Sequence, residues 1–175
     1  MILVDHAIRD RVHTGELEIS DFDDESVQPA SYDLRIGEMI YAPTQPEKPI
    51  NIASNGGAYR LPPYGAAVLT TFENLKLPID LLGRIGLKSG FARRGIIAST
   101  GPQIDPGFQG KLFISVFNLT AGAHVLRFRD SFLTIEFHRL EDTPTHPYSG
   151  PYQGRYTAGR SRRGSAGNAC LGRPV

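Results

Sequence analysis

Between residues 31 and 137 the apolar positions come in short runs, each ended by Pro, Gly or a polar cluster. Residues 31–37 alternate polar and apolar, the period-two signature of a half-buried strand. Residues 66–71, 111–118, 125–128 and 132–137 are rich in Val, Leu, Ile, Phe and Thr and read as further strands. Between 39 and 71 the runs are split by Pro43, Pro46, Pro49, Gly56-Gly57 and Pro62-Pro63, which is the punctuation of turns between strands. Helical spacing is confined to two places. Asp5 is placed to cap a short helix with Ile8 and Val12 on one face and Gly15 at its end, and residues 88–94 predict a second. The pattern therefore predicts an all-β, mainly β fold, a many-stranded sandwich or barrel with one or two short helices.

Composition adds limits. The 175 residues suit one domain with a real core, and 40% are hydrophobic. No apolar run approaches the ~18 residues of a membrane span, and no signal-peptide pattern stands at the start, so a cytoplasmic protein is expected. The lone Cys170 excludes an intrachain disulfide and a cysteine zinc site. The five histidines show no metal-ligand spacing. Charge is uneven. Residues 155–175 hold five arginines and no acid; with +1 for the whole chain, the preceding residues carry −4. That basic stretch is either a solvated end or a segment that meets phosphates.

Two stretches carry candidate chemistry. Residues 87–95 combine Ser89 with Lys88, Arg93, Arg94 and two glycines. Cations, a hydroxyl and exposed backbone N–H groups suit phosphate oxygens. Ten residues on, Asp105 sits in Ile104-Asp105-Pro106-Gly107-Phe108, where a fixed carboxylate can take a proton from water. No phosphate-binding glycine fingerprint or P-loop lysine motif is present.

Four segments in order resemble the dCTP deaminase/dUTPase family. They are residues 28–37, 88–93, 99–110, and 146–148 with 152–154. The resemblance implies a distorted β jelly-roll of the dUTPase-like type over residues 1–155, assembled as a homotrimer with active sites shared between subunits. Residues 156–175 are then a basic, flexible tail and a candidate active-site lid. It further implies a deoxypyrimidine triphosphate as ligand, Mg²⁺ carried on that triphosphate, and no membrane or nucleic-acid partner. Asp105 resembles the family's water-activating carboxylate. Lys88, Ser89 and Arg93 resemble its triphosphate-binding residues. Thr100 and Gly101 lie on the turn that holds the base, Phe108 resembles the aromatic that packs on deoxyribose, and Tyr148 a tail aromatic near the nucleotide. Asp33 supports the site or simply hydrogen-bonds at a strand end.

The chain departs from the deaminase pattern at three positions. Ser115 falls where deaminases carry a proton-shuttling Glu, Pro151 where a Lys is usual, and Arg155 where a Gln is usual. A Ser cannot replace a carboxylate as base, and Glu136 belongs to a later strand. Residues 112–118 resemble the corresponding strand of stand-alone dUTPases. The sequence reading is therefore a dUTP nucleotidohydrolase forming dUMP and pyrophosphate. Its alternatives are a dCTP deaminase and a nucleotide-binding member without turnover. In the first reading Asp105 is catalytic, and Lys88, Ser89, Arg93, Thr100, Gly101, Phe108, Tyr148 and Arg155 bind substrate.

Overall fold

The computed structural model describes residues 1–45, 47–99 and 101–154. Thr100, Arg155 and the tail at 156–175 therefore lie outside the described residues. In chain order the elements are α1 (Asp5–His13), β1 (Glu18–Ile19), a 3₁₀ turn (Asp24–Ser26), β2 (Val27–Gln28), β3 (Ser31–Tyr41), β4 (Ile50–Asn51) and β5 (Ala58–Leu61). Then come β6 (Ala66–Thr71), β7 (Leu75–Lys76), β8 (Leu81–Leu87), α2 (Ser89–Ala92), β9 (Ile96–Ser99), β10 (Gln103–Ile104) and β11 (Gln109–Gly110). The last are β12 (Phe113–Asn118), β13 (His124–Arg127) and β14 (Ser131–Arg139). The mainly β expectation holds, with two short helices.

One sheet dominates. Its strands run in the order β10-β8-β14-β3-β6-β12-β9, with β2 and β4 also paired to β3. The two ends of that order, β9 and β10, are separated in the chain by only residues 100–102. Four Cα steps reach at most ~15 Å, whereas seven strands laid flat would put the edges ~29 Å apart. The sheet must therefore curl until its edges nearly meet.

The long strand β3 makes the curl possible. Its first half pairs with β14, as in Asp33 with Thr134. Its second half pairs with β6, and the register shifts between Ile36 and Ile40. Gly37 sits at that irregularity. A Cβ there would lie 2.5 Å from the Thr71 carbonyl oxygen, so only glycine lets the two backbones approach. The Thr70 hydroxyl donates to the Met39 carbonyl at 3.0 Å and so satisfies a group the irregular ladder would leave open.

Tyr32, Leu34 and Ile36 from β3 and Phe132, Ile135 and Phe137 from β14 are fully or almost fully buried and form the centre of the core. A carboxylate is buried with them. Glu73 has no exposure and accepts from Arg35 twice, from Nε at 2.6 Å and from the backbone N–H at 3.0 Å. Burial pushes its carboxyl above the ordinary value, against the pull of those two bonds.

The first helix seats Ile8, which is fully buried. Its cap position is Val4 rather than Asp5, because the first intrahelical bond runs from the Ile8 N–H to the Val4 carbonyl at 2.9 Å. Asp5 lies in the first turn instead, where a negative charge complements the helix dipole. At the other end Arg11 forms a two-point contact with Asp80, Nη2 to Oδ2 at 2.8 Å and Nη1 to Oδ1 at 3.1 Å. That hydrogen bond holds the Asp80 carboxyl below its ordinary value. The stabilisation is therefore full above pH about 5 and disappears as pH falls through about 4 and below. Asp80→Asn is expected to cost about 1 kcal/mol at pH 7 and progressively less as pH is lowered below about 4, read from urea unfolding across that range.

Candidate active site

Where the curled sheet nearly closes, it leaves a cavity of about 370 Å³. Its floor follows from strand register. Ser115 on β12 stands beside Ser99 on β9 and Val68 on β6, so these side chains share one face of the sheet, and all three line the cavity. Gly101, Gln103 and Asp105 line it from the link between the two sheet edges and the turn that follows. Among the described residues lining it, Asp105 is the one carboxylate. Its Oδ1 accepts from Gln103 Nε2 at 2.6 Å.

The turn after Asp105 is held in two ways. The Phe108 N–H donates to the Asp105 carbonyl at 3.1 Å, which closes the turn. Gly107 has φ +82°, a conformation L side chains rarely adopt. The chain then returns over it: the Tyr148 N–H donates to the Pro106 carbonyl at 2.9 Å. The Tyr148 ring meets Phe108 edge-to-face at 5.5 Å between centroids. Phe108 is thereby 7% exposed, and both rings line the cavity. A Cβ at Gly107 would also stand 2.9 Å from Pro147 Cβ. Gly107→Ala is expected to destabilise by about 1–2 kcal/mol, from the positive φ and this contact, lowering Tm by roughly 2–8 °C in a thermal melt.

The sequence-predicted residues fall into separate groups. Gly101, Asp105, Phe108 and Tyr148 are brought together in the cavity. Lys88, Ser89 and Arg93 are not among the described residues that line it. They sit at α2, which is a single turn, shorter than the 88–94 helix expected, because Gly95 with φ +79° ends it. There the Arg93 Nη1 donates to Ser89 Oγ at 3.1 Å. The Lys88 ammonium forms an ion pair with the buried Asp33 carboxylate and reaches Ser131 Oγ at 3.3 Å. Asp33 thus anchors the start of the basic turn. Thr100 and Arg155 lie outside the described residues.

Several lining residues were not singled out as site residues from the sequence. Gln103, two residues before Asp105, carried a weak signal, since alternate residues of an extended segment share a side. Ser99 could be placed only once β9 was known to pair with β12. Lys111 lines the cavity yet is 9% exposed, and both Glu38 oxygens accept from its Nζ, at 2.8 and 2.7 Å. Nothing in its neighbourhood in the chain announced that partner, 73 residues away.

The sequence model described as dCTP deaminase-like matches residues 2–140, and the chain belongs to that family of enzymes. A protein of Thermococcus sibiricus named dCTP deaminase is 39% identical over 93% of this chain and 98% of its own. One of Pyrococcus horikoshii with the same name is 38% identical over 88% and 92%. Among solved structures, the 2′-deoxycytidine 5′-triphosphate deaminase of Agrobacterium tumefaciens superposes with a TM-score of 0.65 at 25% identity, covering 79% of this chain. The present chain spans about half the length of that one, 47%. The dUTPase of Staphylococcus bacteriophage 80alpha, at 13% identity and TM-score 0.50, shares the fold.

These relatives overturn the reading of the chain as a dUTP nucleotidohydrolase. That reading rested on Ser115 and its strand. Similarity over nearly the whole length of proteins named dCTP deaminase outweighs one strand.

Proposed function

We propose that the protein is a dCTP deaminase, converting dCTP and water to dUTP and ammonia. The observation that carries the proposal is the gathering of Asp105, the Ser99 and Ser115 hydroxyls, Phe108 and Tyr148 in one cavity of a chain with these relatives. Water adds to C4 of the cytosine ring while Asp105 accepts its proton. Asp105 passes that proton to the amino group, which leaves as ammonia, and the water's second proton moves from the new C4 hydroxyl to N3 as C4 becomes a carbonyl. The hydroxyls of Ser99 and Ser115 hydrogen-bond the edge of the base, and Gly101 lets the backbone approach the ring. Phe108 packs on the deoxyribose, where a 2′-hydroxyl would be buried without a partner. Mg²⁺ arrives on the triphosphate, whose oxygens suit a hard cation.

The triphosphate is held by Lys88, Ser89 and Arg93 of a neighbouring copy in a homotrimer working in the cytoplasm. Two features support the shared site. The basic turn and the cavity are separate in the single chain. The face that carries Ser99 and Ser115 continues into Ile97 and Phe117, register partners that are 44% and 36% exposed. An apolar pair beside a polar cavity is what a contact with another copy would cover.

Incubation with dCTP and Mg²⁺ is expected to release one ammonia per dUTP formed; absence of ammonia would sink the proposal. Asp105→Asn is expected to lower kcat by about 10²–10⁴ while dCTP affinity, read by calorimetry, changes by less than about threefold. Sedimentation is expected to show a trimer for the natural chain and a smaller species for Phe117→Lys, since a charge in an apolar contact has no partner.

A further inference from the structure

We infer that Gln153 is a positioning residue for the nucleotide, acting through the turn that carries Asp105 and Phe108; the inference rests on the deaminase reading above. In an extended segment successive backbone groups point to opposite sides. The Phe108 carbonyl points to one side and accepts from the Leu77 N–H at 3.0 Å. The Gly107 carbonyl and the Gln109 N–H point to the other, where a neighbouring strand would ordinarily satisfy them. No strand lies there among the described elements. The Gln153 side chain takes its place: Nε2 donates to the Gly107 carbonyl at 2.8 Å, and Oε1 accepts from the Gln109 N–H at 3.0 Å. The Gly154 N–H adds a third bond, to the Gln109 carbonyl at 2.9 Å.

Gln153 is itself exposed. A glutamine in that setting is usually solvated and free to rotate, and fixing it costs side-chain entropy. Here both ends of the amide are spent on main-chain groups that bracket Phe108. Its neighbour Tyr152 lines the cavity, as does Tyr148 from the start of the returning segment. The amide therefore joins into one unit the two walls that a nucleotide would touch, the Asp105–Phe108 turn and the tail. Its bonds bracket Phe108, whereas the Asp105 carboxylate is held separately by Gln103, so its influence falls on binding and not on the chemical step.

The test compares the natural chain with Gln153→Leu and Gln153→Glu. The readouts are amide hydrogen exchange at Gln109, dCTP affinity by calorimetry, and the kinetics of ammonia release. Gln153→Leu is expected to exchange the Gln109 amide about tenfold faster and to raise Kd and KM for dCTP roughly tenfold, with kcat within about twofold. Gln153→Glu keeps the acceptor for the Gln109 N–H but loses the donor to Gly107, and is expected to fall between the two. Faster exchange with unchanged dCTP affinity would overturn the inference, leaving a contact that only packs the tail; unchanged exchange would overturn it too. If the natural chain binds dCTP but releases no ammonia, and Gln153→Leu still weakens binding, the positioning role stands and the deaminase reading fails. No binding of dCTP by the natural chain overturns both.

Discussion

The fold depends on a length constraint. The strands at the two edges of the principal sheet are joined by three residues, and a chain that short cannot span a flat sheet. Curling is forced, and the seam where the edges approach becomes a concave place with backbone from several strands. Gly101, Gln103 and Asp105 sit in or just after that link. The feature that closes the sheet thus also supplies the polar groups of the cavity. A pocket made this way is walled by the strands of the sheet itself.

Two features fix the path of β3 through the sheet. At Gly37 the absence of a side chain lets β3 cross from one set of partners to another, and the Thr70 hydroxyl repairs the interrupted ladder. Beside it, Glu73 is fully buried with Arg35 holding its carboxylate from side chain and backbone together. A buried pair of this kind adds little net stability, but losing either partner is costly. It penalises any arrangement of the strand that separates them.

The strands were legible because alternation and Pro/Gly punctuation report local geometry. Residues 66–71 are a strand as read, and 132–137 lie within β14. The order in which strands pair was not legible, since no local signal in β9 says that it lies beside β12. Ser99 was missed for that reason, and Lys111 because its partner Glu38 is distant in the chain. Asp105, Phe108 and Gly101 were legible through their motif and do meet in one cavity. The chemistry was misread at Ser115. The missing carboxylate there outweighs the resemblance of the rest of the chain in the sequence reading, which leaves deamination as the alternative that the relatives favour.

Strand β3 has a bearing on how the chain is made. One of its halves pairs with β14, whose residues come about a hundred positions later, and the isolated bridge from Ile2 to His138 ties the N-terminus to that same late strand. On a ribosome the first third of the chain emerges with only the two-residue strands β2 and β4 to pair with β3. Until β14 has left the exit tunnel, Tyr32, Leu34 and Ile36 lack the side of their core that Phe132, Ile135 and Phe137 supply. During synthesis the first half of β3 keeps one open edge until its late partner arrives. A chaperone that shields extended apolar segments would find one in residues 31–41 over that interval.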